Sequence, residues 1–231
     1  MKTIFAVYCY VVLMLFGSSA NAATYTVSPS GNYTSKADFT APCVAGTCAN
    51  FSLAMNVSGT FNVPTLAANL VNSDIGATLT SFSFSDGINT YSSADPAVRI
   101  GRFEVTTNAS GALTSANILV EKWLTGATPH TTADYFSWFS INGSSVVQLY
   151  NNARCSGVGT TPYGVTDFCF VASTGTQSSA ARGATVSYSG GGTPVAATPV
   201  PTLGQWALVL LSMLAAALGM GVLRRRAANN Y

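Results

Sequence analysis

The chain has 231 residues, of which ten are basic and eight acidic, so only 8 % are charged. A coiled coil, a charged disordered tail and an electrostatic nucleic-acid binder all need far more charge and are excluded. The formal net charge of +2 comes from the two ends, because residues 23–201 hold six basic and eight acidic residues, a net charge of −2. This apolar, Ser-, Thr-, Gly- and Asn-rich part is long enough for one domain with a buried core.

The N-terminal segment is typical of a secretory signal peptide. Lys2 precedes an uncharged run over residues 4–16, and small residues follow up to Ala22. Thirteen residues span only about 20 Å as a helix, short of a hydrocarbon core of about 30 Å, which disfavours a retained membrane span. We therefore expect signal peptidase to remove residues 1–22, cutting between Ala22 and Ala23.

The domain predicted for residues 23–188 is all-β. Apolar and polar residues alternate over residues 51–58, which predicts a strand with one buried face. Residues 65–71 are compatible with a short helix. Further strands are predicted around residues 25–27, 82–84 and 103–105, and over residues 118–124, 135–141, 146–150, 168–172 and 184–188. About nine short strands separated by turn residues indicate a β-sandwich or jelly roll.

Two hairpin turns can be recognised in the sequence. Asp86-Gly87 lies between two predicted strands and suits a type I′ turn, in which both central residues take positive φ. A second hairpin is predicted around residues 108–111, which contain asparagine, serine and glycine.

Four cysteines remain after the signal peptide is removed with Cys9. An exported protein with an even number of cysteines favours disulfides. Of the three possible connectivities, the shortest loops predict Cys43–Cys48 and Cys155–Cys169. A zinc site is the alternative, although neither spacing is the two-residue one usual for zinc ligands.

The sequence offers little catalytic chemistry. His130 is the single histidine, with Asp134 four residues later, but no Gly-x-Ser-x-Gly motif accompanies it. We therefore predict a solvent-exposed loop histidine, no enzyme activity, and no cofactor or metal. A hydrolytic activity abolished by His130→Ala would contradict this expectation. A calcium ion bound by aspartates from separate loops is the alternative for the metal.

Two glutamates raise the question of a glycosidase pair. Closing the second hairpin places Glu104 opposite Ser115, roughly 20 Å along the strand from Glu121, whereas catalytic pairs need about 5 to 9.5 Å. We predict instead that Glu121 pairs with Arg99 or Lys122 on a solvated face.

Aromatic residues are the one indication of ligand binding within the domain. Core packing is the usual fate of such side chains, but an exposed group of them forms a platform on which sugars stack. The residues concerned are Trp123, Tyr135, Phe136, Trp138 and Phe139.

The C-terminal segment has three parts. A linker over residues 189–199 contains no charge and no large side chain. Residues 206–223 are uncharged and reach roughly 27 Å as a helix, enough to cross a bilayer, and basic residues follow them. This order predicts a transmembrane helix with residues 227–231 in the cytoplasm and the domain outside. A buried core helix is the alternative.

This tail resembles the IPTL-CTERM sorting domain of Gram-negative bacteria, which is similar to PEP-CTERM. The family pattern is Ile-Pro-Thr-Leu, two free positions and Trp-Gly, then a membrane helix and a basic end. The chain departs from it at Val200 and Ala207. The resemblance covers residues 200–226 and rests on Val200, Pro201, Thr202, Leu203, Trp206, Arg224, Arg225 and Arg226.

The resemblance implies processing by an exosortase-type membrane enzyme and delivery to the cell surface or extracellular matrix. A permanent single-pass anchor is the alternative for the tail. For the domain, we expect a non-enzymatic structural or adhesive role. A carbohydrate-binding module that contacts extracellular polysaccharide is the second hypothesis, and an exported hydrolase the third. No nucleic-acid partner is expected.

Overall fold

The computed structural model describes residues 22–39, 43–173, 175–190 and 213. Inter-residue contacts divide the chain into two units, Met1–Pro194 and Val195–Tyr231, and the strands described below all belong to the first. The predicted signal peptide up to residue 21, most of the linker and the sorting signal lie outside the described residues.

Thirteen strands make up the described part of the domain, together with a 3₁₀ turn at Gly76–Thr78. The strands are β1 (Ala22–Gly31), β2 (Ser35–Asp38), β3 (Ser58–Pro64), β4 (Ser73–Asp74), β5 (Ser81–Ser85), β6 (Thr90–Ser92), β7 (Val98–Thr107), β8 (Leu113–Trp123), β9 (Tyr135–Gly143), β10 (Ser145–Gly159), β11 (Phe168–Ala172), β12 (Ser179–Arg182) and β13 (Thr185–Gly190). The prediction of an all-β domain is confirmed.

The strands form one antiparallel sheet in the order β4-β7-β8-β9-β10-β13-β1-β3-β5-β6. β11 pairs with β10, and β12 lies between β10 and β2. β10 and β13 share only the pair Ser145 and Thr185, so this junction joins two parts of the sheet. We call β7 to β10 the first half-sheet, and β13, β1, β3, β5 and β6 the second.

Aromatic side chains pack the two half-sheets face to face. The Phe61 and Phe103 rings are 4.9 Å apart, and those of Phe84 and Phe139 are 5.4 Å apart. All four side chains are at most 1 % exposed. The architecture is therefore sandwich-like. The jelly-roll alternative is wrong, because β7 to β10 pair in chain order as a meander and not as Greek keys.

Most of the predicted strands are confirmed, with the exception of residues 51–58. This segment forms a turn and loop that ends where β3 begins at Ser58, and Leu53 is 50 % exposed. Phe51 and Val57 belong to this loop and insert their side chains into the core. The alternating pattern of apolar residues therefore comes from separate core contacts of a loop and not from a pleated strand. The helix considered for residues 65–71 is also absent, and that segment is a loop.

Both hairpins form, but the first has a different turn. Ser85 pairs with Thr90, which leaves a four-residue loop over 86–89. Gly87 has φ of +92°, whereas Asp86 does not have positive φ, so the type I′ prediction is wrong. The cause is the Asp86 carboxylate, which turns inward and accepts hydrogen bonds from the Ile88 and Asn89 amides at 2.8 and 2.6 Å.

Both predicted disulfides are confirmed. Cys43–Cys48 closes a short loop before β3, and Cys155–Cys169 joins β10 to β11. The second disulfide belongs to a small apolar cluster separate from the main core, together with Trp123, Phe136 and Ala153. β11 and the loop before it therefore cover one end of the first half-sheet.

Candidate functional site

His130 is not the solvent-exposed loop residue that the sequence predicts. Its side chain is 6 % exposed, its ring stacks on Trp123 at 4.2 Å, and its Nδ1 lies 2.7 Å from Asp167 Oδ2. The His130 amide also donates to Asp167 Oδ1 at 2.6 Å. Asp134, considered as its partner, accepts hydrogen bonds from Thr131 instead.

Asp167 connects this histidine to the sheet. Arg99 Nη2 lies 3.2 Å from Asp167 Oδ2, and Trp123 Nε1 donates to the Asp167 carbonyl at 2.9 Å. Burial raises the pKa of the carboxyl, but hydrogen bonds from the His130 amide, the His130 ring and Arg99 outweigh burial and lower it. Asp167 is thus an ionised carboxylate that fastens the loop before β11 to β8. In the part of the chain with described contacts, no serine hydroxyl bonds to His130.

Glu121 is buried, which corrects the expectation of a solvated face. It is 0 % exposed, and its carboxyl group accepts a hydrogen bond from the Cys169 amide at 3.0 Å. Arg99 lies opposite it in the sheet but pairs with Asp167, and Lys122 pairs with Asp95 at 2.8 Å. Burial raises the pKa of Glu121 to about 9, against the partial opposition of the Cys169 hydrogen bond. At neutral pH the group is therefore protonated.

The two glutamates remain separate, although the register differs from the prediction. Glu104 pairs with Asn117, not with Ser115, because the hairpin has a bulge near Thr107. Four residues then separate this position from Glu121, about 13 Å along β8, still beyond the roughly 9.5 Å of a glycosidase pair. Glu104 instead accepts hydrogen bonds from Asn117 and Tyr163.

A second buried polar cluster surrounds Asp86. The carboxylate is 0 % exposed and accepts the Tyr91 hydroxyl at 2.8 Å. Asn89 continues the network to Asn151 at 3.0 Å, and Asn151 donates to the carbonyls of Thr47 and Ala49 in the loop of the first disulfide. Burial raises the pKa of Asp86 despite these hydrogen bonds. The cluster connects β6, β10 and the disulfide loop.

The five predicted aromatic residues do not form one platform. Trp123, Phe136 and Phe139 are at most 3 % exposed and belong to the two apolar clusters. Trp138 stays partly exposed and stacks on Tyr150, with ring centroids 5.5 Å apart and planes within 8°. Tyr150 is not among the five predicted residues, and its place at the end of the strand predicted for residues 146–150 is the sequence signal that indicates it.

The aromatic pair lies on the side of the first half-sheet that faces away from the second half-sheet, and we call this side the outer face. Trp138 lies beside Glu121 on β8 and beside Tyr150 on β10, and directly paired residues of an antiparallel sheet project to the same side. The Cys169 segment covers the face at Glu121, while Trp138 and Tyr150 lie beyond it. What remains open there is a surface with polar and aromatic side chains.

Two further observations concern metals and membranes. Among residues 22–39, 43–173 and 175–190, no three His, Cys, Asp or Glu side chains are grouped as metal ligands would be. No helix in the described ranges has the length and apolar character needed to cross a bilayer. The helix predicted at 206–223 lies outside them, apart from residue 213.

Comparison with known proteins identifies the tail. The IPTL-CTERM motif matches residues 198–226, a range that includes all eight predicted sorting residues. No curated protein and no solved structure matches the chain. The chain therefore carries an exosortase-type sorting domain, and its β domain has no matched relative from which a function could be transferred.

Proposed function

We propose that the mature protein is a non-enzymatic structural or adhesive component of the cell surface or extracellular matrix. The single observation that carries this proposal is the IPTL-CTERM motif at residues 198–226, which implies export and processing by an exosortase-type enzyme. The motif follows a compact all-β domain whose last described strand ends at Gly190. Two disulfides in that domain fit an oxidising compartment.

The proposed route begins with insertion through the cytoplasmic membrane and removal of the signal peptide. The predicted cut lies between Ala22 and Ala23, and Ala23, which pairs with Val63 on β3, is only 8 % exposed and stays with the domain. The segment 206–223 then holds the protein in the membrane, with the arginines that follow it, Arg224–Arg226, in the cytoplasm. Pro201 favours an extended backbone at Val200, the conformation in which proteases bind peptides.

Intact-mass measurement of the mature protein from its native host tests this route. We expect an N-terminus at Ala23 and loss of the segment from about residue 206 onward. Pro201→Ala is expected to block most of the processing, because the backbone at Val200 is then no longer restricted to the extended conformation in which proteases bind peptides. Pro199→Ala, which changes a proline outside the tetrapeptide, is the matched control and should be processed normally. A mature protein that keeps Arg224–Arg226 would identify a permanent anchor instead.

A carbohydrate-binding role is the second candidate function. The stacked pair of Trp138 and Tyr150 on the outer face supports it, because aromatic rings at a surface present apolar area together with a polar edge. Trp123 is not part of that surface, so binding lost on Trp138→Ala is the informative test. Turnover of a glycan or ester by the purified protein would contradict the non-enzymatic proposal.

A further inference from the structure

The basic residues of the domain are concentrated in three adjoining clefts. Residues 23–201 contain six basic and eight acidic residues, but four of the basic residues and only one of the acidic ones, Asp74, line these clefts. The basic residues are Lys36, Arg99, Arg102 and Arg182. Lys36 and Arg99 form salt bridges with Asp38 and Asp167, so Arg102 and Arg182 are the two of these four cations without a salt bridge in the described part of the chain.

The three clefts share residues and so form one continuous path. The first has a volume of about 400 Å³ and is lined by Arg99, Arg102 and Tyr163. The second, of about 260 Å³, also contains Arg102 and includes Trp138. The third, of about 220 Å³, shares Gln148 with the second and includes Arg182.

Strand register explains why the path is straight. Arg102 pairs with Leu119, Leu119 with Ser140, and Ser140 with Gln148, which makes one row across β7, β8, β9 and β10. Because Leu149 pairs with Ala181, Arg182 on β12 continues the row beyond Gln148. With strands about 4.8 Å apart, the two arginines are separated by roughly 19 Å.

Aromatic side chains lie along this row. Trp138 and Tyr150 occupy the next row of the sheet and stack on each other at 5.5 Å. At the far end, the Arg102 guanidinium lies 5.9 Å from the ring centroid of Tyr163. Tyr163 also donates a hydrogen bond to Glu104, but no carboxylate of the described chain forms a salt bridge with Arg102.

Two buried polar atoms in these clefts lack a hydrogen-bond partner in the protein. Trp138, whose Nε1 is a donor, is one of the residues lining the second cleft, and Gln177, whose Oε1 is an acceptor, is one of those lining the third. Gln177 is only 6 % exposed. Buried polar groups are normally satisfied, and these are the two side-chain exceptions among the described residues. A ligand that offers hydroxyl groups would pair with both.

We propose that an acidic polysaccharide binds along the row from Arg102 to Arg182. The arginines would bind its carboxylate or sulfate groups, the Trp138–Tyr150 pair would contact its sugar rings, and Trp138 Nε1 and Gln177 Oε1 would bind its hydroxyl groups. Double-stranded DNA carries one charge per about 1.7 Å, far denser than four basic residues spread over this surface. A polymer with one charge per sugar unit suits it better.

This proposal deepens the carbohydrate-binding candidate above and is tested on the full chain in non-ionic detergent. Affinity electrophoresis through gels containing polygalacturonate, dextran sulfate or neutral dextran measures the retardation of the protein. We expect both acidic polymers to retard it, neutral dextran to have little effect, and added NaCl to weaken the retardation. The two acidic polymers distinguish carboxylate from sulfate as the preferred group.

Matched variants locate the binding surface. The double variant Arg102→Gln with Arg182→Gln is expected to lower the apparent affinity at least tenfold. Arg154→Gln removes an exposed arginine that lies outside the three clefts, and it should retain wild-type binding. Trp138→Phe keeps an aromatic ring but removes the indole N–H, and we expect a loss of several fold.

Three results would overturn the proposal. They are unchanged retardation of the double variant, an equal loss in Arg154→Gln, or DNA binding that matches polygalacturonate binding and is lost in the same variants. Near-ultraviolet circular dichroism of each variant verifies that the fold is intact. Cell-surface labelling of the same variants tests display separately, so a protein that is displayed but does not bind would leave the sorting proposal standing.

Discussion

Replacing Asp86 with alanine is expected to lower the free energy of unfolding by about 4 kcal/mol. The carboxylate is 0 % exposed and accepts hydrogen bonds from the Ile88 and Asn89 amides and from the Tyr91 hydroxyl. Alanine leaves these three donors buried without an acceptor, and each such loss costs about 1 to 3 kcal/mol. Equilibrium denaturation in urea, followed by tryptophan fluorescence, measures the change.

Asp86→Asn is the matched variant for this prediction. It keeps one side-chain oxygen for the two backbone amides and removes the buried ionisable group, whose pKa burial raises. We expect it to cost much less than the alanine variant. Asp74→Ala is the second control, because Asp74 accepts one hydrogen bond from the Gly76 amide at an exposed site. An Asp86→Ala protein as stable as wild type would show that the turn is not held by this carboxylate.

Glu121→Gln is expected to stabilise the protein increasingly as the pH rises. The folded-state pKa of Glu121 is raised by burial to about 9, whereas an unfolded chain has a value near 4.5. Between these values the unfolded state is ionised and the folded state is not, so wild-type stability falls as the pH increases from about 4.5 to 9. Glutamine removes this ionisation and keeps an oxygen acceptor for the Cys169 amide.

The expected size of the effect makes it measurable. Relative to wild type, the Glu121→Gln protein should gain on the order of 3 kcal/mol in unfolding free energy between pH 5 and pH 8. Glu104→Gln is the control, because a hydrogen bond from Tyr163 lowers the pKa of Glu104. Removing the Glu104 carboxylate should lower the free energy of unfolding at pH values above the one at which glutamate normally ionises. Parallel pH profiles for the wild-type and Glu121→Gln proteins would refute an elevated pKa at Glu121.

The carboxyl groups of Glu121 and Asp167 have a structural role at one end of the outer face. Glu121 lies beneath the segment that carries Cys169, and Asp167 belongs to that segment. Together with Arg99 and Trp123, these groups fasten the segment to β7 and β8. The cluster is a structural device that covers one end of the outer face. The surface that remains open is the one lined by basic and aromatic residues, where we propose polysaccharide binding.

Local patterns predicted much of the fold. Alternation identified β1, β5, β7 and most later strands because one face of each is buried against the opposite half-sheet. The sequence does not predict β2, β3, β4 and β12, and three of these strands have only two to four residues, which carry too little periodicity. Residues 51–58 show the converse error, because a loop that buries Phe51 and Val57 produces the same alternation as a strand.

By itself, the sequence determined the sorting motif of this protein and its covalent framework. The sorting motif is a contiguous segment that needs no fold to be recognised, and both disulfides join cysteines that are near neighbours in the chain. Only the tertiary structure decided which polar groups are buried and which cations gather on one surface. Burial depends on what the rest of the chain places over a residue, and the row from Arg102 to Arg182 joins strands 80 residues apart through hydrogen-bond register.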